Sequence, residues 1–192
     1  MQHARRHFCT ALAGLTLSAA FGVAHSAGTP QVSLKTSMGE IVLELYPEKA
    51  PISVANFLRY AKDGHYNGTI FHRVIENFMI QGGGFDQNLE QKPTRAPIQN
   101  EARNGLKNVA YSIAMARTGA PHSATAQFFI NTNDNRPLDY PGSDGWGYAV
   151  FGRVIKGTEI VDKIKTVPVS SQGMYQDVPV KAVVIESVSL VR

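Results

Sequence analysis

Residues 71–84 read FHRVIENFMIQGGG. Phe71, Val74, Ile75, Phe78, Met79 and Ile80 would suit the wall of a β-barrel. His72, Arg73 and Gln81 interrupt them, and three glycines follow at once. A guanidinium and an amide on such a surface have two readings. Either the Arg73 stem lies across an outer wall with its head in water, or the polar groups rim an apolar hollow.

The flanking chain supplies the rest of a mainly β pattern. Val32 and Leu34, then Ile41, Leu43 and Leu45, alternate with polar positions around a turn at Ser37-Met38-Gly39, which predicts strand, turn, strand. Val54, Phe57, Leu58 and Ala61 carry helical spacing between Pro47 and Asp63, with Pro51 suited to the first turn and Gly64 to the end. Residues 69–74, 78–81, 108–116, 126–132 and 148–154 read as strands. Residues 133–147 are a loop dense in Asp, Pro and Gly. A short helix is predicted over Thr158–Lys165, with Ile160, Val161 and Ile164 on one side, and alternation returns over Val180–Val191. Many short strands with two helices fit a closed antiparallel barrel or a sandwich, and the pattern does not choose between them.

The first residues form a separate unit. Residues 1–26 contain Arg5 and Arg6, an apolar run from Phe8 to Val23, small residues towards Ser26 and Ala27, and no acid. That is the layout of a secretory signal peptide cut after Ser26 or Ala27. Arg5-Arg6-His7-Phe8 also resembles a twin-arginine export signal. The domain is then 27–192, exported, without stable membrane insertion after cleavage. Its 17 Lys/Arg against 15 Asp/Glu leave a net charge of +2. No basic run supports nucleic-acid binding. The only cysteine, Cys9, leaves with the leader, so the mature domain has no thiol and no disulfide. A domain of this size can build a sufficient core without one.

Few of the usual chemistries find their residues here. There is no G-x-S-x-G elbow, and nothing points to a Ser/His/Asp triad. His65 and His72 lack a nearby carboxylate pair, so no metal and no cofactor is expected. Gln81-Gly82-Gly83-Gly84 lacks the spacing and the following helix of a phosphate loop. What remains is Arg73, always charged with several fixed donors, and Gln81, both donor and acceptor. A hollow rimmed by these groups could hold a nonpolar ring with an amide at its edge, and proline within a peptide is that object.

FHRVIENFMIQGGG resembles the signature segment of the cyclophilin family of peptidylprolyl cis-trans isomerases. IAMAR (113–117), SATAQFFI (123–130), YAVFGRVIKG (148–157) and the opening GEIVLELYPEKAPISVANF (39–57) recur in that family's order and spacing. The resemblance covers about Val32 to Val191, and the details MIQGGGF and INTNDN look most like the bacterial periplasmic branch. It implies a closed eight-stranded antiparallel barrel capped by two α-helices, with a substrate groove on the outer wall.

The resemblance also implies roles. Arg73 matches the catalytic arginine, and Gln81 stands with it, positioning Arg73 or the substrate carbonyl. Phe78, Met79, Phe129 and Leu138 match the wall of the proline pocket, and Gln81 and Gln127 its polar rim. Ala116 and Arg117 match the segment whose backbone runs beside the bound peptide. Tyr148 falls at the pocket edge, where many relatives carry histidine, and His72 is assigned a supporting role. Pro137 stands where many eukaryotic members carry a tryptophan that grips cyclosporin, so weak cyclosporin binding is expected. The implied partners are proline-containing peptides and folding exported proteins in the bacterial periplasm, met by a monomer. The alternative is a cyclophilin-like binding module or chaperone with little catalysis.

Overall fold

The structure, a computed structural model, describes residues 29–191. The leader 1–26 and its cut after Ser26 or Ala27 lie outside the described residues. Ten strands and two α-helices follow in order: β1 (Gln31–Thr36), β2 (Gly39–Leu45), α1 (Pro51–Lys62), β3 (Thr69–Ile75), β4 (Met79–Gly82), β5 (Ser112–Met115), β6 (Phe128–Asn131), β7 (Val150–Lys156), α2 (Thr158–Lys165), β8 (Val169–Gln172), β9 (Tyr175–Pro179) and β10 (Val184–Leu190). Eight strands close an antiparallel barrel in the order β1-β10-β3-β4-β6-β5-β7-β2. Closure leaves no free edge. β8 and β9 form a separate two-stranded sheet.

The barrel interior is one apolar cluster. Val74, Ile80, Ile130 and Ile113 stand in a register row across β3, β4, β6 and β5, and all point inward. α1 follows the end of β2 and sends Val54, Phe57 and Tyr60 into this core. The Phe57 ring meets those of Tyr66, Phe128 and Phe151 at 5.1, 5.5 and 5.3 Å. α2 covers the other end, where β2 begins. Its Ile160 packs so closely on Gly39, which has φ +136°, that a Cβ there would come within 2.5 Å of Ile160 Cδ1.

α1 lacks a local cap, because its N-cap residue is Ala50. Glu101, 49 positions downstream of Ile52, serves instead. Its carboxylate accepts from the Ile52 and Ser53 backbone N–H groups at 3.0 and 2.8 Å, and from Ser53 Oγ at 2.7 Å. A carboxylate there satisfies orphan donors and complements the helix dipole.

Several expected boundaries move. The strand expected over 108–116 shortens to β5, because Val109 to Ser112 turns: Tyr111 has φ +66° and Ser112 N–H donates to Val109 O at 3.0 Å. The strand expected from Val180 starts at Val184, and the β8–β9 hairpin forms where the sequence pattern predicts no strand. Its sequence, VSSQGMYQDVP, carries no alternating apolar face, since it lies outside the barrel and buries little of β8.

Candidate functional site

A bulge in β3 sets the site. Phe71 pairs with Gly82 and Arg73 with Gln81, and the register slips between Phe71 and Arg73. Strict alternation would put Phe71 and Arg73 on one face. The extra residue lets Phe71 and Val74 both enter the core while Arg73 turns to the outside, as bulges do beside functional sites. From Arg73 a second register row runs outward-facing across the wall through Gln81, Phe129 and Ala114.

Above this row lies a second apolar cluster, outside the barrel core. Met79, Ala114, Ala116, Phe129 and Val150 are its buried members, with Phe78, Leu138 and Tyr148 packed against them. Ala114 and Ala116 are small and leave the floor low. The resulting hollow, of ≈ 100 Å³, is lined by Arg73, Phe78, Met79, Gln81, Ala116, Arg117, Phe129, Leu138 and Tyr148. Gln127 lines the adjoining depression. Sequence reading names every one of these residues. His72 does not join them. It lies buried next to Arg73 in the chain, its ring 4.6 Å from that of Phe85, and among the described residues its Nδ1 has no hydrogen-bond partner. Burial, and next the Arg73 charge, hold its pKa down at about 4.

The polar groups are arranged differently from the expectation. Gln81 Nε2 donates to Gln127 Oε1 at 2.8 Å and, among the described residues, makes no bond to Arg73. The Arg73 Nε instead faces Asp177 Oδ2 of β9 at 4.0 Å. Gly84, to which the sequence assigns no role, makes room for the glutamine pair, since a Cβ there would come within 2.5 Å of Gln127 Cγ. Gly83 turns the chain with φ +83°, and a Cβ there would press on Phe128 and Tyr66 at 2.9 Å. Gly83 and Gly84 therefore serve close packing.

Arg117 contributes more than backbone. Its side chain is 3% exposed. It donates from Nε to Gly147 O and from Nη1 to Thr118 O, both at 3.0 Å, and from Nη2 to Asp144. Its guanidinium lies 4.4 Å from the centre of the Tyr148 ring, which meets Phe129 edge-on at 5.6 Å. The hydrogen bond from Arg117, then the backbone N–H groups of Trp146 and Gly147, hold the Asp144 carboxyl down at about 2. The loop that returns to the hollow is thus tied at its middle.

Asn135 is a functional support that sequence reading missed. It is buried, donates from Nδ2 to Phe78 O at 2.7 Å and to Asn131 Oδ1 at 2.6 Å, and accepts Leu138 N–H on its carbonyl at 2.9 Å. One residue thereby fixes two walls of the hollow, holding Phe78 with its side chain and Leu138 with its backbone carbonyl. A dense Asn/Asp run between two apolar strands was its only signal. Leu138 O then accepts Tyr148 N–H at 2.8 Å. Pro137 is exposed on a short 3₁₀ turn next to Leu138.

Among the described residues, no group of three or more His, Cys, Asp or Glu could hold a metal ion, and no helix is long and apolar enough to cross a membrane. The site offers an apolar seat for a small ring, a permanent cation at its edge and amide partners beside it.

Comparison with known proteins accords with this geometry. Residues 31–190 match the family described as cyclophilin type peptidyl-prolyl cis-trans isomerase/CLD. The peptidyl-prolyl cis-trans isomerase cyp18 of Streptomyces antibioticus is 60% identical, over 83% of this chain and 97% of its own. Peptidyl-prolyl cis-trans isomerase B of Escherichia coli K12 is 56% identical, over 83% and 98%. A crystal structure of a cyclophilin type peptidyl-prolyl cis-trans isomerase from Cryptosporidium parvum superposes with a TM-score of 0.70 at 26% identity, covering 85% of this chain and 98% of that one.

Proposed function

This chain belongs to the cyclophilin family of peptidyl-prolyl cis-trans isomerases, and we propose that Arg73 carries its reaction by donating to the prolyl nitrogen of a twisted amide. The enzyme speeds rotation about X–Pro bonds in peptides and proteins. The peptide bond resists rotation with a barrier of about 18–20 kcal/mol. Twisting removes the resonance, and the prolyl nitrogen becomes pyramidal and regains a lone pair. A donor aimed at that nitrogen binds the twisted state better than the planar one. Phe78, Met79, Phe129 and Leu138 hold the ring, so the amide turns against a fixed proline. Ala116 and Arg117 run beside the peptide, and Gln81 with Gln127 forms the rim.

The observation that carries this reading is the outward row of Arg73, Gln81 and Phe129 beside the one small apolar hollow they share. Raising exchange from about 0.01 per second to about 10–1000 per second needs roughly 4–7 kcal/mol. A charge-assisted hydrogen bond in a half-dry groove, with the ring immobilised, is of that order. The test is cis-to-trans exchange of a short X–Pro peptide by NMR with the parent and with Arg73→Ala. Collapse of exchange in a folded variant supports the assignment. Undiminished exchange removes Arg73 from the centre.

The clients we assign are exported proteins of the bacterial periplasm, folding after passage through the membrane. The support is the acid-free leader, with Arg5, Arg6 and the run from Phe8 to Val23. The mass of the accumulated protein tests it: export predicts a chain starting at Ala27 or Gly28. Weak cyclosporin binding belongs to the same proposal. Proline at 137, exposed beside Leu138, supplies neither an aromatic face nor an N–H.

A further inference from the structure

An arginine half in water needs something to aim it. The Arg73 side chain is 44% exposed, and among the described residues it makes no hydrogen bond. A long side chain left free samples many rotamers, each loss of aim weakening a donor that must meet one nitrogen. Gln81, its neighbour across the ladder, is engaged with Gln127. The one carboxylate within ion-pair reach among the described residues is Asp177, on the hairpin outside the barrel.

Asp177 itself stands in an uncommon conformation. Its φ is +58°, the left-handed region that side chains other than Asn and Asp rarely enter. Such strain persists where the surroundings over-determine it. Here they do. Val178 beside it is 2% exposed, and Tyr175 packs its ring 5.2 Å from Phe85. Phe85 in turn meets His72, the residue before Arg73. One aromatic stack therefore fixes both the strand that carries the arginine and the hairpin that carries the acid.

We propose that Asp177 is a positioning residue for the isomerase reaction. It engages the Nε edge of the Arg73 guanidinium, limits its rotamers and leaves the two Nη groups to face the hollow. Asp177 touches no substrate. It acts through Arg73, so the inference rests on the assignment of Arg73 above.

The experiment compares parent, Asp177→Asn, Asp177→Gly, Arg73→Ala and the double variant Arg73→Ala/Asp177→Asn in NMR exchange and in kcat and KM. Asparagine keeps the shape and tolerates the backbone, so it removes only the charge. Glycine removes the side chain and suits φ +58°, so it folds at least as well as the parent. Both single variants are expected to lose kcat about five-fold with KM little changed. Raising salt to about 1 M should lower parent turnover towards that of Asp177→Asn and leave the variant flat. In the Arg73→Ala background, Asp177→Asn should add nothing.

Parent-like kcat in both Asp177 variants, beside an inactive Arg73→Ala, overturns this proposal and leaves the Arg73 assignment standing. An equal Asp177→Asn loss with and without Arg73 also overturns it, because the acid would then act by another route. Full activity in Arg73→Ala overturns the Arg73 assignment first, and this proposal with it.

Discussion

Replacing His72 by phenylalanine should make the domain more resistant to mild acid. The imidazole is 6% exposed, its Nδ1 is unpartnered among the described residues and Arg73 adjoins it in the chain. Burial first, then that charge, lower its pKa from 6.5 to about 4, while the Ile70 backbone pulls weakly the other way. The unfolded chain keeps the ordinary value. Above pH 6.5 neither state holds the proton, and His72 adds no pH dependence. As pH falls from 6.5 towards 4, the unfolded state takes up a proton that the folded state refuses, so stability falls. Below about 4 both states are protonated and the loss levels off.

Linkage puts the loss at about 2 kcal/mol at pH 5 and about 3 kcal/mol at pH 4, against a total stability of about 5–15 kcal/mol. Phenylalanine keeps the ring contact with Phe85 and removes the titration. Urea unfolding of both proteins at pH 8, 6, 5 and 4, followed by circular dichroism, reads the difference. Other groups titrate alike in both and cancel. The variant should gain on the parent by about 2 kcal/mol between pH 8 and 5. Parallel stability curves over that interval would refute the reasoning, since they would require a His72 that protonates as readily folded as unfolded.

Three further outcomes are expected. Glu101→Ala removes the remote cap of α1, leaves the Ile52 and Ser53 N–H groups unpaired, and should cost about 1–3 kcal/mol in urea unfolding with kcat little changed. Gly84→Ala drives a Cβ into the Gln127 side chain, which can swing away. Stability should therefore fall by less than about 1 kcal/mol, while loss of the Gln81–Gln127 bond raises KM in steady-state peptide assays. Gly152→Ala places a Cβ 2.3 Å from Glu44 O, a backbone atom that cannot retreat, and should cost more than about 3 kcal/mol or abolish soluble protein.

Much of the site is legible in residues 71–84 and their partners because each motif is local. An arginine, a glutamine and apolar residues at fixed offsets on two hairpin strands must meet across a ladder, so Arg73 facing Gln81 follows from a short loop. The helices follow from 3.6-residue spacing, and α1 starts at the Pro51 that its sequence suggests. The resemblance to cyclophilins then supplies Phe129, Leu138 and Tyr148, which no local pattern could join to Arg73.

Other features are decided only by the folded whole. Alternation fits barrel and sandwich alike, because both bury one face of each strand, and only the β1–β10 and β2–β7 pairings close the ring. The β3 bulge is equally hidden, since a strict period of two would place Arg73 and Phe71 together. Asn135, Glu101 and Asp177 act over 57, 49 and 104 positions, through Phe78, Ile52 and Arg73 respectively. A polar side chain carries no trace in its own neighbourhood of a partner so far along the chain. What the sequence determined by itself is which residues are apolar, which are charged and how each short segment bends. The aim of Arg73 and the acid that faces it depend on distant segments meeting in space, and only the tertiary structure brings them there.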